Sequence, residues 1–193
     1  MAVSMAIAAI ASHASADARA SRRDADLMKQ KVVIITQHGA KPARQLRRTT
    51  VTENEVNAYL TLEALKDLPA GVVEPSVAIL GPGRLSARAV VDLDAVRKQS
   101  PPRGLLDPRN LLFGRLPVTA TGLLTTGNGL ARLSLESVAI GGVPMPPVVL
   151  QEIVSYYSRT PQKPNGISLA DPFALPANIR EIRVDRGQAI VIQ

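Results

Sequence analysis

A period-two pattern of apolar residues on both sides of glycine-rich turns is the strongest constraint in this sequence. Val73, Pro75, Val77 and Ile79 alternate with Glu74, Ser76, Ala78 and Leu80. After Gly81-Pro82-Gly83 the pattern resumes, with Leu85, Ala87, Ala89, Val91 and Leu93 interleaved with Arg84, Ser86, Arg88, Val90 and Asp92. A period of two belongs to a strand with one dry face and one wet face, so the two runs predict an antiparallel hairpin. A second hairpin is predicted where Val118 to Thr126 meets Gly127-Asn128-Gly129 and then Ala131, Leu133 and Leu135 alternate with Arg132, Ser134 and Glu136. A third pair, Ile179 to Val184 and Gln188 to Ile192, turns at Asp185-Arg186-Gly187.

Helical text is placed around these hairpins. Thr52 can cap a first turn, Glu53 and Glu55 complement its dipole, and Glu55 holds the capping-box position. Val56, Leu60 and Ala64 then form a stripe, which predicts a helix from Thr52 to Lys66, stopping before Leu68-Pro69. Pro146-Pro147 opens another helix to about Ser158, with Val149, Ile153, Tyr156 and Tyr157 on its apolar side. Asp24 to Gln37 has a helix-favouring first half and a β-branched second half. No turn residue interrupts it before His38-Gly39, so a helix is expected there too. Residues 39–50 read as a basic connector, and residues 100–117, with four prolines and no steady period, as a loop. The order helix, hairpin, hairpin, helix, hairpin makes an α+β fold built on antiparallel strands.

A chain of 193 residues that is 46% hydrophobic can bury a real core, but only 3% of it is aromatic and none is Trp. Val, Leu, Ile and Ala must therefore fill that core. The absence of Cys excludes disulfides, thiolate metal sites and Cys nucleophiles. The formal charge of +7 is concentrated: residues 17–48 hold nine Lys/Arg against three Asp, and the rest is nearly balanced at fourteen basic to thirteen acidic. Such a segment suits peripheral contact with an anionic membrane through residues 19–48, or a solvated arm. Specific nucleic-acid recognition is not expected, because no aromatic platform accompanies the charge.

Residues 1–20 form an Ala-rich apolar run followed by small residues at −3/−1 spacing, such as Ala14-Ser15-Ala16. The run reads as a truncated or weak secretion signal, with an Ala-rich helix of the mature protein as the alternative. The organisation expected is a signal segment at 1–20, a basic segment at 21–50 and one α+β domain at 51–193, in a periplasmic or secreted protein.

Catalytic constellations are lacking. The chain has two His, no HExxH, GxSxG, Walker or strand-to-helix GxGxxG motif, and no cofactor signature, so a non-enzymatic protein is expected. Gly81-Pro82-Gly83 and Gly127-Asn128-Gly129 are hairpin turns rather than phosphate loops, since alternating runs flank both. Asp92 and Asp94 read as solvated strand-end charges rather than metal ligands. Asn57, polar among apolar neighbours on its helix, is expected to bond nearby backbone rather than a ligand headgroup.

The phrase Val51-Thr-Glu-Asn-Glu-Val-Asn-Ala-Tyr-Leu60, followed by Leu68-Pro-Ala-Gly-Val72 and a strand pair, resembles bacterial envelope proteins with tubular lipid-binding (TULIP-like) domains. These include the mycobacterial mannan-lipoprotein-associated (LmeA-like) and enterobacterial YceB-like families. Val138-Ala-Ile-Gly-Gly-Val-Pro-Met-Pro146 and Phe173-Ala-Leu-Pro176 … Ile182-Arg-Val-Asp-Arg-Gly187 are similar to their later segments. The resemblance covers residues 51–193 in order and spacing. It lacks a lipobox Cys, and the basic segment has no counterpart. It implies a strongly curved antiparallel β-sheet made of hairpins wrapped around one or two amphipathic helices, with an apolar channel for acyl chains. Small residues on the dry strand faces (Ala87, Ala89, Ala131, and Ala120 and Gly122 if they also point inward) would leave room for a slender ligand, unless the helices fill that space.

The expected function is non-enzymatic binding of a lipid or other slender apolar small molecule in the bacterial envelope. The alternative is a solid-core interaction module docking to an envelope partner. The expected channel residues are Val56, Leu60, Leu85, Ala87, Ala89, Leu133, Val149, Ile153 and Tyr157, with Leu105, Leu106, Leu111, Leu112 and Phe113 at its mouth.

Overall fold

The computed structural model describes residues 21–40, 45–69, 71–99, 113–157, 159, 163–166 and 168–193. The chain is α+β, with a large antiparallel sheet and few helices.

Helix α1 (Arg22–Gly39) starts at Ser21, whose Oγ accepts the Asp24 N–H at 3.0 Å. Its β-branched second half stays helical because Ile35 is buried with Ile179 and Val191, a tertiary contact that outweighs local strand preference. Strand β1 (Arg48–Thr52) lies in text read as a connector. Four consecutive β-branched residues, Thr49 to Thr52, were its local signal, and pairing with the distant β9 (Gln188–Ile192) makes it a strand. The expected domain start at 51 therefore falls inside β1. The basic segment 21–50 also supplies α1, which packs against α2 (Glu53–Leu62).

Helix α2 begins as its sequence dictates: Thr52 and Glu55 form the full capping box. It ends earlier than Lys66, at Leu62, and a short 3-10 turn follows at Leu65–Asp67. Glu63 leaves regular helical geometry where its carboxylate takes both Arg22 and Lys29 at 2.8 Å.

Strands β2 (Val72–Gly81) and β3 (Arg84–Asp92) form the first hairpin, and β4 (Arg115–Gly127) and β5 (Leu130–Ile140) the second. Helix α3 (Leu93–Gln99) replaces the strand end expected at Leu93, because Asp92 Oδ1 accepts the Ala95 N–H at 3.0 Å and starts a helical turn. Gly141-Gly142 is a tight turn into β6 (Val143–Met145), and α4 (Pro147–Tyr157) opens on its proline. Strands β7 (Phe173–Ala174) and β8 (Glu181–Asp185) complete the chain with β9.

The large sheet runs β2-β3-β4-β5-β6, with β7 also pairing β5; the small sheet runs β1-β9-β8. The two meet at the hairpin turns. Gly83 N–H donates to Val184 O, Gly187 N–H to Ile79 O, and Gly129 N–H to Arg180 O. Thr126 Oγ1 both donates to Ile182 O (2.9 Å) and accepts from Ile182 N–H (2.8 Å), standing in for a strand along β8. The core sits at this junction. Val51, Ile79, Val184 and Ala189 are buried together, with Met28, Val56, Val77, Leu85, Leu124 and Ile182 packed around them.

Candidate functional site

Directly paired residues of antiparallel strands share a face, so the register assembles the site. One row crosses Ile79, Leu85, Gly122 and Leu135; the next crosses Val77, Ala87, Ala120, Val138 and Met145. Beyond them lie Ala89, Val118, Ile140 and Val143, and then Val72, Val91 and Leu116. No charged residue appears in these four rows. On the opposite face the rows read Ala78, Ser86, Thr121 and Ser137, and Ser76, Arg88, Thr119, Ala139 and Pro144. The following row on that face, Val73, Val90 and Pro117, is apolar again, so one face is free of charge and the other is mixed.

The register slips at three places, between Val73 and Ser76, between Ile79 and Gly81, and between Thr121 and Gly122, and two of these slips decide which residues join each face. Glu74, at φ 51°, sits between Val73 and Ser76 where the register slips, so Val73 pairs with Val90 and Val72 takes the place beside Val91. Val73 therefore lies on the face opposite Val77, contrary to simple alternation. On β5, Glu136 is the extra residue between Leu135, opposite Gly122, and Ser137, opposite Thr121. The slip keeps Leu133, Leu135, Val138 and Ile140 on the apolar side.

Coverage of this face is uneven. The row nearest the turns feeds the core, where Ile79 is 5% exposed and Val138, in the next row, 4%. Farther along, Ala87 is exposed, and Ala89, Val91, Leu116, Val118, Ala120 and Ile140 are only half-buried. No large side chain among the described residues is fully buried.

Of the residues expected to line a channel, Leu85, Ala87, Ala89 and Leu133 do share this face. Val56 and Leu85 also pack against the junction core, and Leu60 is half-buried on α2. Val149 (43% exposed) lies on α4, and Phe113, expected at the mouth, is 72% exposed just before β4. Leu105, Leu106, Leu111 and Leu112, and the side chains of Ile153 and Tyr157, lie outside the described residues. Val77, Val118, Val138 and Ile140 belong to the face but were not singled out; continuing the alternation across paired strands was the signal for them. Gly122 leaves no empty room: a Cβ there would stand 2.8 Å from Ser134 O and 3.2 Å from Leu133 Cδ1.

The polar candidates serve the fold. Asn57 clamps the outer edge of β2, its Nδ2 donating to Val77 O at 2.8 Å and its Oδ1 accepting Val77 N–H at 2.7 Å. One turn earlier, Glu53 Oε2 accepts Ile79 N–H at 2.7 Å. Asp92 caps α3. The Ala95 N–H, then the nearby Arg115 guanidinium, hold its carboxyl below the usual carboxylate range. Asp94 accepts the Gly114 N–H at 3.3 Å. Among the described residues, no three His, Cys, Asp or Glu are grouped to hold a metal.

The basic segment is partly neutralised. Lys31 contacts both oxygens of the buried Glu55 at 2.7 Å, and Arg22 and Lys29 share Glu63. The Lys29 hydrogen bond is the main reason that Glu63 titrates below its ordinary range. No described helix is long and apolar enough to cross a membrane.

Compared with known proteins, the chain matches no family model, no curated protein and no solved structure.

Proposed function

We propose that this protein binds, without chemical change, one elongated apolar ligand such as a lipid acyl chain against the apolar face of the large sheet, in the bacterial envelope. The observation that carries this reading is the charge-free sequence of rows from Leu85 to Val91, which the junction core covers at one end and leaves half-exposed toward the other. At about 3.3 Å per residue these rows run roughly 20 Å, a length suited to a fatty chain. The sheet curls around α4 and the ligand together, as in the tubular lipid-binding domains that the sequence resembles. The small residues Ala87, Ala89 and Ala120 leave the chain space, and Phe113 and Val149 border its entrance. Affinity comes from apolar burial, at about 25 cal/mol per Å² before the cost of association. The exposed cations of α1 offer a second, electrostatic contact with an anionic membrane.

Native mass spectrometry of the purified protein, followed by organic extraction, tests the reading. Bound lipid near one equivalent is expected. Ala87→Trp, which fills the exposed part of the apolar face, should abolish uptake, whereas Arg88→Trp, on the opposite face, should not. A clean ligand-free mass that persists after incubation with envelope lipid extract would sink the proposal and favour a protein-docking module.

A further inference from the structure

Along β3 and β4 the apolar rows of the large sheet are closed at one end and open at the other. At the closed end Ile79 is 5% exposed, and Leu85 and Leu124 pack against the junction core. Gly122, paired with Leu85, is buried, and a Cβ there would stand 3.2 Å from Leu133 Cδ1, so Leu133 fills the space over it. One row farther out, Ala87 pairs with Ala120, and Ala87 is exposed. Ala89 and Val118 follow, then Val91 and Leu116, all half-buried. No charged or hydroxyl side chain stands on β3 or β4 within these rows.

We propose, resting on acyl-chain binding at this face, that Leu85 and the junction core behind it form the end wall of the site, so that the protein selects its ligand by chain length. The chain lies with its methyl end toward Leu85, because nothing polar on β3 or β4 in these rows could satisfy a headgroup. The headgroup stays in water beyond Val91 and Leu116. From Ala87 to Val91 the open rows run about 13 Å, at about 3.3 Å per residue. An extended chain of single bonds advances about 1.2 Å per bond, as a fully extended backbone does with its three bonds per residue. The rows therefore cover about ten to twelve carbons. Within that length each methylene leaves water and tightens binding about three- to fourfold. Carbons beyond it remain solvated and add nothing.

Octanoate, decanoate, dodecanoate, tetradecanoate and hexadecanoate are the probes, each titrated calorimetrically into the full chain below its micelle concentration. Affinity should climb from octanoate to dodecanoate and level off after it. Ala87→Leu brings the wall out by one row, about 7 Å, and should move the break about five carbons shorter, so that dodecanoate loses its advantage over octanoate. Leu85→Ala opens one more row, so hexadecanoate should then bind more tightly than dodecanoate. Leu85→Val, which keeps more of the packing, should give a smaller shift in the same direction and serves if the Ala variant does not fold. Arg88→Leu, on the opposite face, should leave the break where it is. An affinity that climbs unbroken to hexadecanoate, or a break that stays in place when Ala87 and Leu85 are changed, would overturn the length limit and leave lipid binding standing. No saturable binding of any chain would overturn both.

Discussion

Replacing Asn57 with Ala removes two hydrogen bonds at once, and the structure lets the cost be worked out. Val77 loses the partner of its N–H (2.7 Å) and of its carbonyl (2.8 Å), both partly buried where α2 lies along the edge of β2. Each bond contributes about 0.5–1.5 kcal/mol net, and more if its backbone group is left without water, so the pair is worth about 2–4 kcal/mol. Ala is the better helix former by about 0.6 kcal/mol, which offsets a little of this. A net loss of about 1.5–3.5 kcal/mol should lower the urea midpoint by about 0.7–1.8 M, taking a slope of about 2 kcal/mol per M. Equilibrium urea unfolding followed by far-UV circular dichroism measures it. Asn57→Asp provides a control: at neutral pH its carboxylate still accepts from Val77 N–H but opposes the Val77 carbonyl, so it should be no more stable than the Ala variant. In acid the protonated side chain can donate again, and part of the loss should return. A midpoint for Asn57→Ala within about 0.2 M of wild type would refute the edge-clamp reasoning. If lipid uptake disappeared in an Asn57→Ala protein of unchanged stability, the residue would instead be a headgroup ligand.

Gly122→Ala should destabilise by about 1–3 kcal/mol, because its Cβ would meet the Ser134 carbonyl, which is backbone and cannot swing aside; thermal unfolding reads this, and an unchanged midpoint would mean that the bulged pairing opposite Gly122 is looser than described. Acid should weaken the protein through Glu63, Asp92 and Glu181, whose carboxyls are all held below their ordinary range, by Lys29, the Ala95 N–H and Arg183 respectively. The folded state binds fewer protons than the unfolded one as pH falls, so the stability that these groups add is complete above the ordinary carboxylate values near pH 4 and is lost as pH drops through the lowered ones. Glu63→Gln should flatten part of that acid limb, and an identical limb in the variant would assign it to other groups.

The parts of the fold legible in the sequence are those whose cause is local. Glycine turns between alternating runs specify both large hairpins, Thr52 and Glu55 specify the start of α2, and Pro147 that of α4. Strand β1 escaped because its neighbours in the sheet are about 140 residues away, and a run of Thr carries no alternation to betray it. The early end of α2 coincides with Glu63 meeting Arg22 and Lys29 of α1, a contact that no local signal foretells. For the candidate site, alternation places Leu85, Ala87, Ala89 and Leu133 on one face, but the register slips at Glu74 and Glu136 decide which of their neighbours join them. Without the slip at Glu136, Val138 and Ile140 would point to the polar side and the apolar rows would stop at β4. A bulge is an agreement between two strands, so one strand's sequence cannot announce it.

The distribution of support in the structure bears on why the far part of the large sheet should depend on what lies against it. The small sheet, α1 and α2 all converge on the turns at Gly81–Gly83 and Gly127–Gly129, where carbonyls of β8 and the preceding residue take the glycine N–H groups. Along β3 and β4 their cover thins from Ala87 to Val91, where the residues are exposed or only half-buried, although Val138 on β5 stays buried. A strand ladder alone adds little stability in water, since its hydrogen bonds exchange with solvent at small net gain. What holds such rows is the apolar contact on their dry face, and here the dry face is made of Ala, Val, Leu, Ile and Met with no aromatic among them. A ligand laid along those rows would supply the missing contact area, so binding and ordering of the far sheet become one equilibrium. The same geometry explains how a protein this poor in aromatic residues can afford an open face: the core that keeps it folded lies at the junction, away from the surface that the ligand would cover.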